Sequence, residues 1–333
     1  GVLIVVHEFG HFITAKLAGV TVSEFGFGYP PRIAKLGTWH GTEITLNALP
    51  VGGFVLMAED DPTVAGSVAN KPIWVRLIVF SAGALMNLFL AIALYAAVFT
   101  IGTLVSVNGP GAGIYSVAEN SPAETVGLQS GDNIISLNGI TIESADQAGD
   151  IIAEYAGQEL VIVIERDGQQ LDPVTVVPRA DPPEGEGALG VSISLPLENK
   201  SYPIWQAIPK GFQAAYNSVR NLFWALEQTI IGNMKLEVTG VVGIYNMTAE
   251  VAQSGLVDTL SFAAWLSLNL ALFNMFPLPA LDGGRVVFVL LEWIRRGKRV
   301  APEKEGMVHA IGMMVLLAMF VVVTIWDVQR YYG

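Results

Sequence analysis

Apolar residues along this chain fall into long runs separated by polar stretches, and that patterning divides it. Val75 to Ile101 is one apolar run, broken internally only by Arg76 near its start and by Asn87. Phe262 to Phe276 forms a second, and Met307 to Trp326 a third with His309 near its start. A helix needs about 20 residues to cross the hydrocarbon of a bilayer, so these runs predict membrane spans. Gly1 to Val20 reads as a fourth. Because it opens without Met, it predicts a span that begins before residue 1, not a cleaved leader.

The stretches between the runs have other periods. In Gly41 to Leu49, GTEITLNAL, Ile44, Leu46 and Ala48 alternate with Glu43, Thr45 and Asn47, the period of two of a strand. Pro30-Pro31 and Gly52-Gly53 interrupt any helix there. The expectation is short hairpins close to the membrane surface, which enter the bilayer only where protein or a water-filled cavity shields their backbone. Residues 111–195 have the spacing of a small α/β module, with a Ser-Pro-initiated helix, a helix near Ala145 to Tyr155, a Pro/Gly-rich loop and a last strand, VSISL. Between Pro203 and Ile231, Trp205, Ile208, Phe212, Tyr216, Val219 and Leu222 recur at helical spacing. They predict an amphipathic helix, laid on the module or the membrane or serving as a linker.

Composition and charge sharpen this division. The chain is 52% hydrophobic and only 14% charged, against about 25% charged in ordinary soluble domains. Its net charge is −12 over 333 residues, and residues 102–200 alone hold 15 Asp+Glu against 3 Lys+Arg, which accounts for all of it. An acidic soluble insert therefore interrupts a membrane protein, and its acidity excludes nucleic acid as a partner. Arg295, Arg296, Lys298 and Arg299 lie between the last two apolar runs. Basic loops stay inside, so 295–303 is expected in the cytoplasm, 21–73 with it, and 102–258 outside. The chain has no cysteine, so disulfides and thiolate chemistry are excluded and a metal must use His, Asp or Glu.

Three polar side chains in the first run carry the chemistry. His7-Glu8-Phe9-Gly10-His11 is HExxH. On a helix, residues four apart share a face, so two imidazoles at that spacing can grip one tetrahedral metal ion, with Glu8 placed to take a proton from its bound water. A catalytic zinc takes three protein ligands and one open position. The best third ligand is Asp282 in Asn274 to Gly284, NMFPLPALDGG, where Pro277 and Pro279 break the apolar pattern. The same carboxylate could instead cap the helix that follows.

HEFGH paired with NMFPLPALDGG resembles the site-2 protease family of intramembrane zinc metalloproteases. GTEITLNALPVGGFVLM resembles the family's membrane-associated β-hairpin, TGVVGI (Thr239 to Ile244) its stretch before the third span, and PEKEGMVHAIG (Pro302 to Gly312) the start of its last helix. AGALMN has Ala84 where relatives often have Pro. The insert, with SPAETVGLQSGDNIISLNG, is similar to a single PDZ domain. The resemblance implies a polytopic α-helical membrane protein of about four transmembrane helices, in an inner membrane, with one Zn2+ per chain held by His7, His11 and Asp282. Glu8 would be the general base and acid, and Asn274 would orient substrate or serve local backbone. The implied partners are the lipid bilayer and transmembrane substrates such as anti-sigma factors or signal-peptide remnants.

The expected domains are 1–101 and 259–333, two halves of a protease core, 102–200, a PDZ domain, and 201–258, an amphipathic helix and linker. An unwound substrate needs partners for its backbone, and a free edge of the strand bearing Thr42, Ile44 and Leu46 is expected to supply them. Gly111, Gly113 and Ile114 are expected to form the PDZ ligand loop, with the domain acting as a size filter or a peptide sensor. A silent PDZ-bearing scaffold with a structural metal is the competing class, but structural zinc has no open position and needs no base such as Glu8. A metal transporter would carry more intramembrane acidic or His residues and gives no reason for the insert.

Overall fold

The computed structural model describes residues 1–58, 63–183, 185–234 and 239–332. Glu184 of the expected Pro/Gly-rich loop and residues 235–238 of the expected linker lie outside these. The chain forms two compact units, residues 1–97 with 204–333 and residues 98–203.

The first unit opens with α1 (Val2–Leu17), β1 (Val22–Trp39), β2 (Thr42–Met57) and α2 (Ile73–Ile101). β1 and β2 pair antiparallel, and the strands are long enough for one segment to be paired twice. Phe25 faces both Val55 and Ile44, and Phe27 both Gly53 and Leu46. On their other side, Ile44 and Leu46 face Gly37 and Ala34. The expectation that the Thr42–Leu49 strand has a free edge is therefore corrected. Ile44 and Leu46 have neighbours on both sides, and Thr42 is fully buried with its hydroxyl donating to Val22 O at 2.8 Å. Gly53–Met57 is paired on one side only in this register, which makes it an outer edge. That edge runs beside α1: a Cβ on Gly52 would lie 2.8 Å from Ile4, and one on Gly53 3.5 Å from Val5.

The insert comprises β3 (Thr103–Ser106), β4 (Ala112–Val117), α3 (Pro122–Thr125), β5 (Asn133–Leu137), β6 (Ile140–Thr141) and α4 (Ala145–Glu154), then β7 (Leu160–Arg166), β8 (Gln169–Gln170), β9 (Val174–Val176), β10 (Val191–Ser194) and β11 (Leu197–Lys200). Ser121 and Ser144 accept from Glu124 N and Gln147 N and start α3 and α4, as N-cap hydroxyls do. The main sheet has the order β10-β4-β5-β7-β8, with β6 on β5 and β9 on β7. Its core joins Ile114, Ile134, Leu137, Ile152, Leu160 and Ile162.

The expected ligand loop is also corrected here. Gly113 and Ile114 lie inside β4, Gly113 paired with both Ser194 and Asn133, and Ile114 fully buried with its N–H given to Asp132 O at 2.7 Å. Gly111 alone precedes the strand, at φ +111°. The Ile114 amide is committed to the sheet and Gly113 lies within the ladder between two strands, so these residues do not form a separate loop. The open edge is β10, bonded on one side only and with α4 packed beside it.

The chain then returns through α5 (Ile204–Ile231), α6 (Val241–Ser254), α7 (Leu256–Met275), α8 (Asp282–Ile294) and α9 (Pro302–Tyr332). Among the described residues, α2, α7 and α9 are long and apolar enough to cross a membrane, while α1 has 16 residues. α5 packs through small residues, burying Ala207, Gly211 and Ala215 at four-residue spacing. A Cβ on Gly211 would stand 2.7 Å from Ile92 O of α2, the close approach that small residues permit between membrane helices. Of the large residues that predicted the helix, Trp205, Ile208, Phe212 and Tyr216 are exposed, while Val219 packs against the cluster of Ala91, Ile92 and Leu268.

One apolar cluster joins α1, the hairpin, α2 and α8 through Phe12, Phe25, Val79, Phe80 and Val289. Beside it, the buried Arg76 of α2 pairs with Glu292 of α8, which also accepts from Arg299 Nε at 3.0 Å. The C-terminal end of α8 is thereby tied to the start of α2, and its N-terminal end is left to serve the site.

Candidate metal centre

α1 presents His7 and His11 on one buried face, directed at α2 and α8. Gly10 lets the helices meet, since a Cβ there would lie 2.5 Å from Ala82 O. That contact brings His11 Nδ1 within 2.8 Å of Val79 O. A carbonyl only accepts, so Nδ1 carries the proton and Nε2 points into the site with its lone pair free. His7 Nδ1 lies 3.3 Å from the side-chain amide of buried Asn87, whose backbone carbonyl accepts from Ser267 Oγ at 2.9 Å. In the structure the amide nitrogen faces the ring and the Asn87 oxygen is buried without a partner. With the amide flipped, its oxygen accepts from Nδ1–H and His7 Nε2 is left unprotonated as well, which satisfies both groups.

Asp282 arrives from the other half of the chain. α7 ends at Met275, and the Pro-containing connector delivers Asp282 as the first residue of α8, with Leu281 at the N-cap. Asp282 Oδ2 lies 3.0 Å from His7 Nε2 and 3.1 Å from His11 Nε2, with the two imidazole nitrogens 3.3 Å apart. Ligands about 2.1 Å from a tetrahedral zinc stand roughly 3.4 Å from one another, so the three donors are spaced to close around one ion. The set is the His/His/carboxylate type suited to zinc. Among the described residues it is the one convergent His/Asp/Glu group. Gly83 bounds it on α2: a Cβ there would lie 2.4 Å from His11 Nε2 and 2.5 Å from His7 Nε2.

Glu8 is half-buried on α1; the Tyr29 phenol of β1 is pushed up by burial and, secondarily, by the Glu8 charge. Asn274 is placed otherwise. Its side-chain amide donates to Leu270 O, one turn back in α7, at 2.9 Å. Val79 and Gly83 carry no polar signal in sequence and Asn87 stood out only as a break in an apolar run, yet the three bear on the site together. The available signal was their four-residue spacing within the Val75–Ile101 run, which puts them on one helix face.

The profile of Peptidase family M50 matches residues 1–319. Zinc metalloprotease RasP of Oceanobacillus iheyensis is 29% identical, covering 100% of this chain and 97% of the relative. Membrane metalloprotease ARASP, chloroplastic, of Arabidopsis thaliana is 33% identical over 96% of this chain and 75% of its own. The Regulator of sigma-W protease RasP of Bacillus subtilis is 28% identical over 100% and 97%. With an HExxH on one buried helix, an aspartate meeting it from another, and that family profile along nearly its whole length, the chain belongs to peptidase family M50, the site-2 protease family of zinc metalloproteases.

Proposed function

We propose that this chain hydrolyses peptide bonds in or near the transmembrane segments of membrane proteins. The observation that carries the reading is the convergence of His7, His11 and Asp282 beside Glu8, on elements packed against the membrane-length helix α2. His7, His11 and Asp282 would hold one zinc ion per chain, with Val79 O and Asn87 fixing the imidazole tautomers. Zinc, when bound, supplies Lewis-acid polarisation of water and of the scissile carbonyl. Glu8 accepts the proton of the attacking water and then gives it to the leaving amine nitrogen. Asn274, at the end of α7, would orient the substrate backbone.

A substrate helix must unwind locally before attack, and its freed N–H and C=O groups need partners. The outer edge of Gly53–Met57, beside α1, is suited to take them by strand addition. In the insert, the PDZ-like module would take a peptide along β10, or exclude bulky ectodomains; its acidity disfavours a free carboxylate ligand and favours exclusion. Residues 295–303 would be cytoplasmic and the insert extracytoplasmic, in an inner membrane. One relative is named a regulator of sigma-W protease, which favours membrane-anchored regulators, anti-sigma factors among them, as the substrate class.

The test is zinc-dependent cleavage of a model transmembrane peptide by the full chain in lipid. Glu8→Gln should bind zinc as the parent does and leave the peptide intact. Turnover by that variant would sink the assignment of Glu8. Cleavage that persists in a strong chelator would sink the metal mechanism.

A further inference from the structure

Asp282 sits at the end of a connector, so whatever fixes the connector's backbone also fixes the aim of its carboxylate. Local bonds from Leu278 N to Phe276 O and from Leu281 N to Leu278 O fold it into turns. Ala280, two residues before Asp282, is held at φ +74°, a region that residues with a Cβ avoid. Its N–H donates to His309 Nδ1 of α9 at 2.8 Å.

The surroundings are shaped for that bond. A Cβ on Gly284 would lie 3.2 Å from His309 Cε1, so this glycine lets the ring reach over the start of α8. A Cβ on Gly312, almost one turn along α9, would lie 2.3 Å from the Pro279 side chain, so α9 and the connector touch there too. The Phe288 ring of α8, its centroid 5.5 Å from that of His309, packs against the imidazole. α9 thus grips the connector at Pro279 and Ala280, immediately before the aspartate.

We propose that His309 is a positioning residue for the metal centre: its unprotonated Nδ1 anchors Ala280 to α9 and so aims Asp282 at His7 and His11. His309 is not itself in the convergent group of ligands. Its effect passes through the backbone of the connector, and it makes the last membrane helix a structural part of the site. This inference rests on the reading of Asp282 as a metal ligand.

Asparagine offers the test, because its Oδ1 stands as many bonds from Cβ as the imidazole Nδ1 and can accept the same hydrogen bond, whereas alanine cannot. Zinc affinity is measured for the full chain in lipid nanodiscs by competition with a chromophoric chelator, for the parent, His309→Ala, His309→Asn and Asp282→Ala. Loss of an outer partner of a metal site weakens binding by about 10- to 100-fold. His309→Ala should show that loss and His309→Asn should stay close to the parent, with helix content unchanged by far-UV circular dichroism. Parent-like affinity in His309→Ala, or equal weakening in His309→Asn, overturns the proposal. Asp282→Ala separates the two layers: if it binds zinc as tightly as the parent, the ligand reading itself fails and the positioning role falls with it.

Discussion

Gly83 of α2 stands so close to His11 of α1 that a Cβ added to it would lie 2.4 Å from Nε2, the nitrogen turned toward Asp282. The metal centre is therefore walled on one side by a residue with no side chain. That relationship sets the first prediction. Gly83→Ala should push the two imidazoles apart and reduce both zinc affinity and cleavage. Overpacking at a tight site costs about 1–3 kcal/mol, or roughly 5- to 150-fold in binding. Chelator competition measures it, and an alanine variant with unaltered zinc affinity would show that the gap beside Nε2 is not needed.

Asn87 should matter to zinc through His7. In Asn87→Leu the imidazole keeps its packing and loses the amide 3.3 Å from Nδ1. Affinity is expected to fall by about 10- to 100-fold, while Asn87→Asp, which accepts the Nδ1 proton, should hold more zinc than Asn87→Leu. The ranking of the two variants is the readout.

Glu292 tests how α8 is held. Its carboxylate is buried against Arg76 and Arg299, and removing one partner of a buried ion pair leaves the other charge uncompensated, at a cost of about 3–5 kcal/mol. Glu292→Ala should lower the thermal midpoint markedly, and Arg76→Ala should behave alike. Reversal of the pair, with Arg76→Glu and Glu292→Arg together, should recover part of the loss. Independent, small effects of the single variants would argue that α8 is seated by its apolar face alone.

The two long strands give opposite expectations for proline. Ile44 has paired neighbours on both sides, and proline in the interior of a sheet removes a ladder bond. Ile44→Pro should therefore unfold the hairpin, seen as protease sensitivity and loss of zinc. Proline scanned through Phe54 to Leu56 should leave zinc bound and lower cleavage at the positions whose N–H faces outward. Full activity across that scan would remove the outer edge from substrate binding.

Much of this protein is determined locally. Periodicity and run length are properties of neighbours in sequence, so the apolar helices, the strand alternation of Ile44 and Leu46 and the Ser-Pro start of α3 at Ser121 were all legible without a fold. The spacing of HExxH is local too, since a helix alone puts His7 and His11 on one face. What lay beyond sequence was every choice made by a partner far along the chain. The same alternating pattern suits an edge strand and a central one, and only the register showed that Ile44 and Gly113 are paired on both sides while Gly53–Met57 and β10 each have an open one. Asp282 could have capped α8. The packing of α1, α2 and α8 decides that it meets His7, 275 residues away, at 3.0 Å, because only the tertiary fold brings three metal-ligating atoms from distant segments to one point. Glycine carries no pattern at all, and the roles of Gly10, Gly83 and Gly284 exist only where two elements meet at backbone distance.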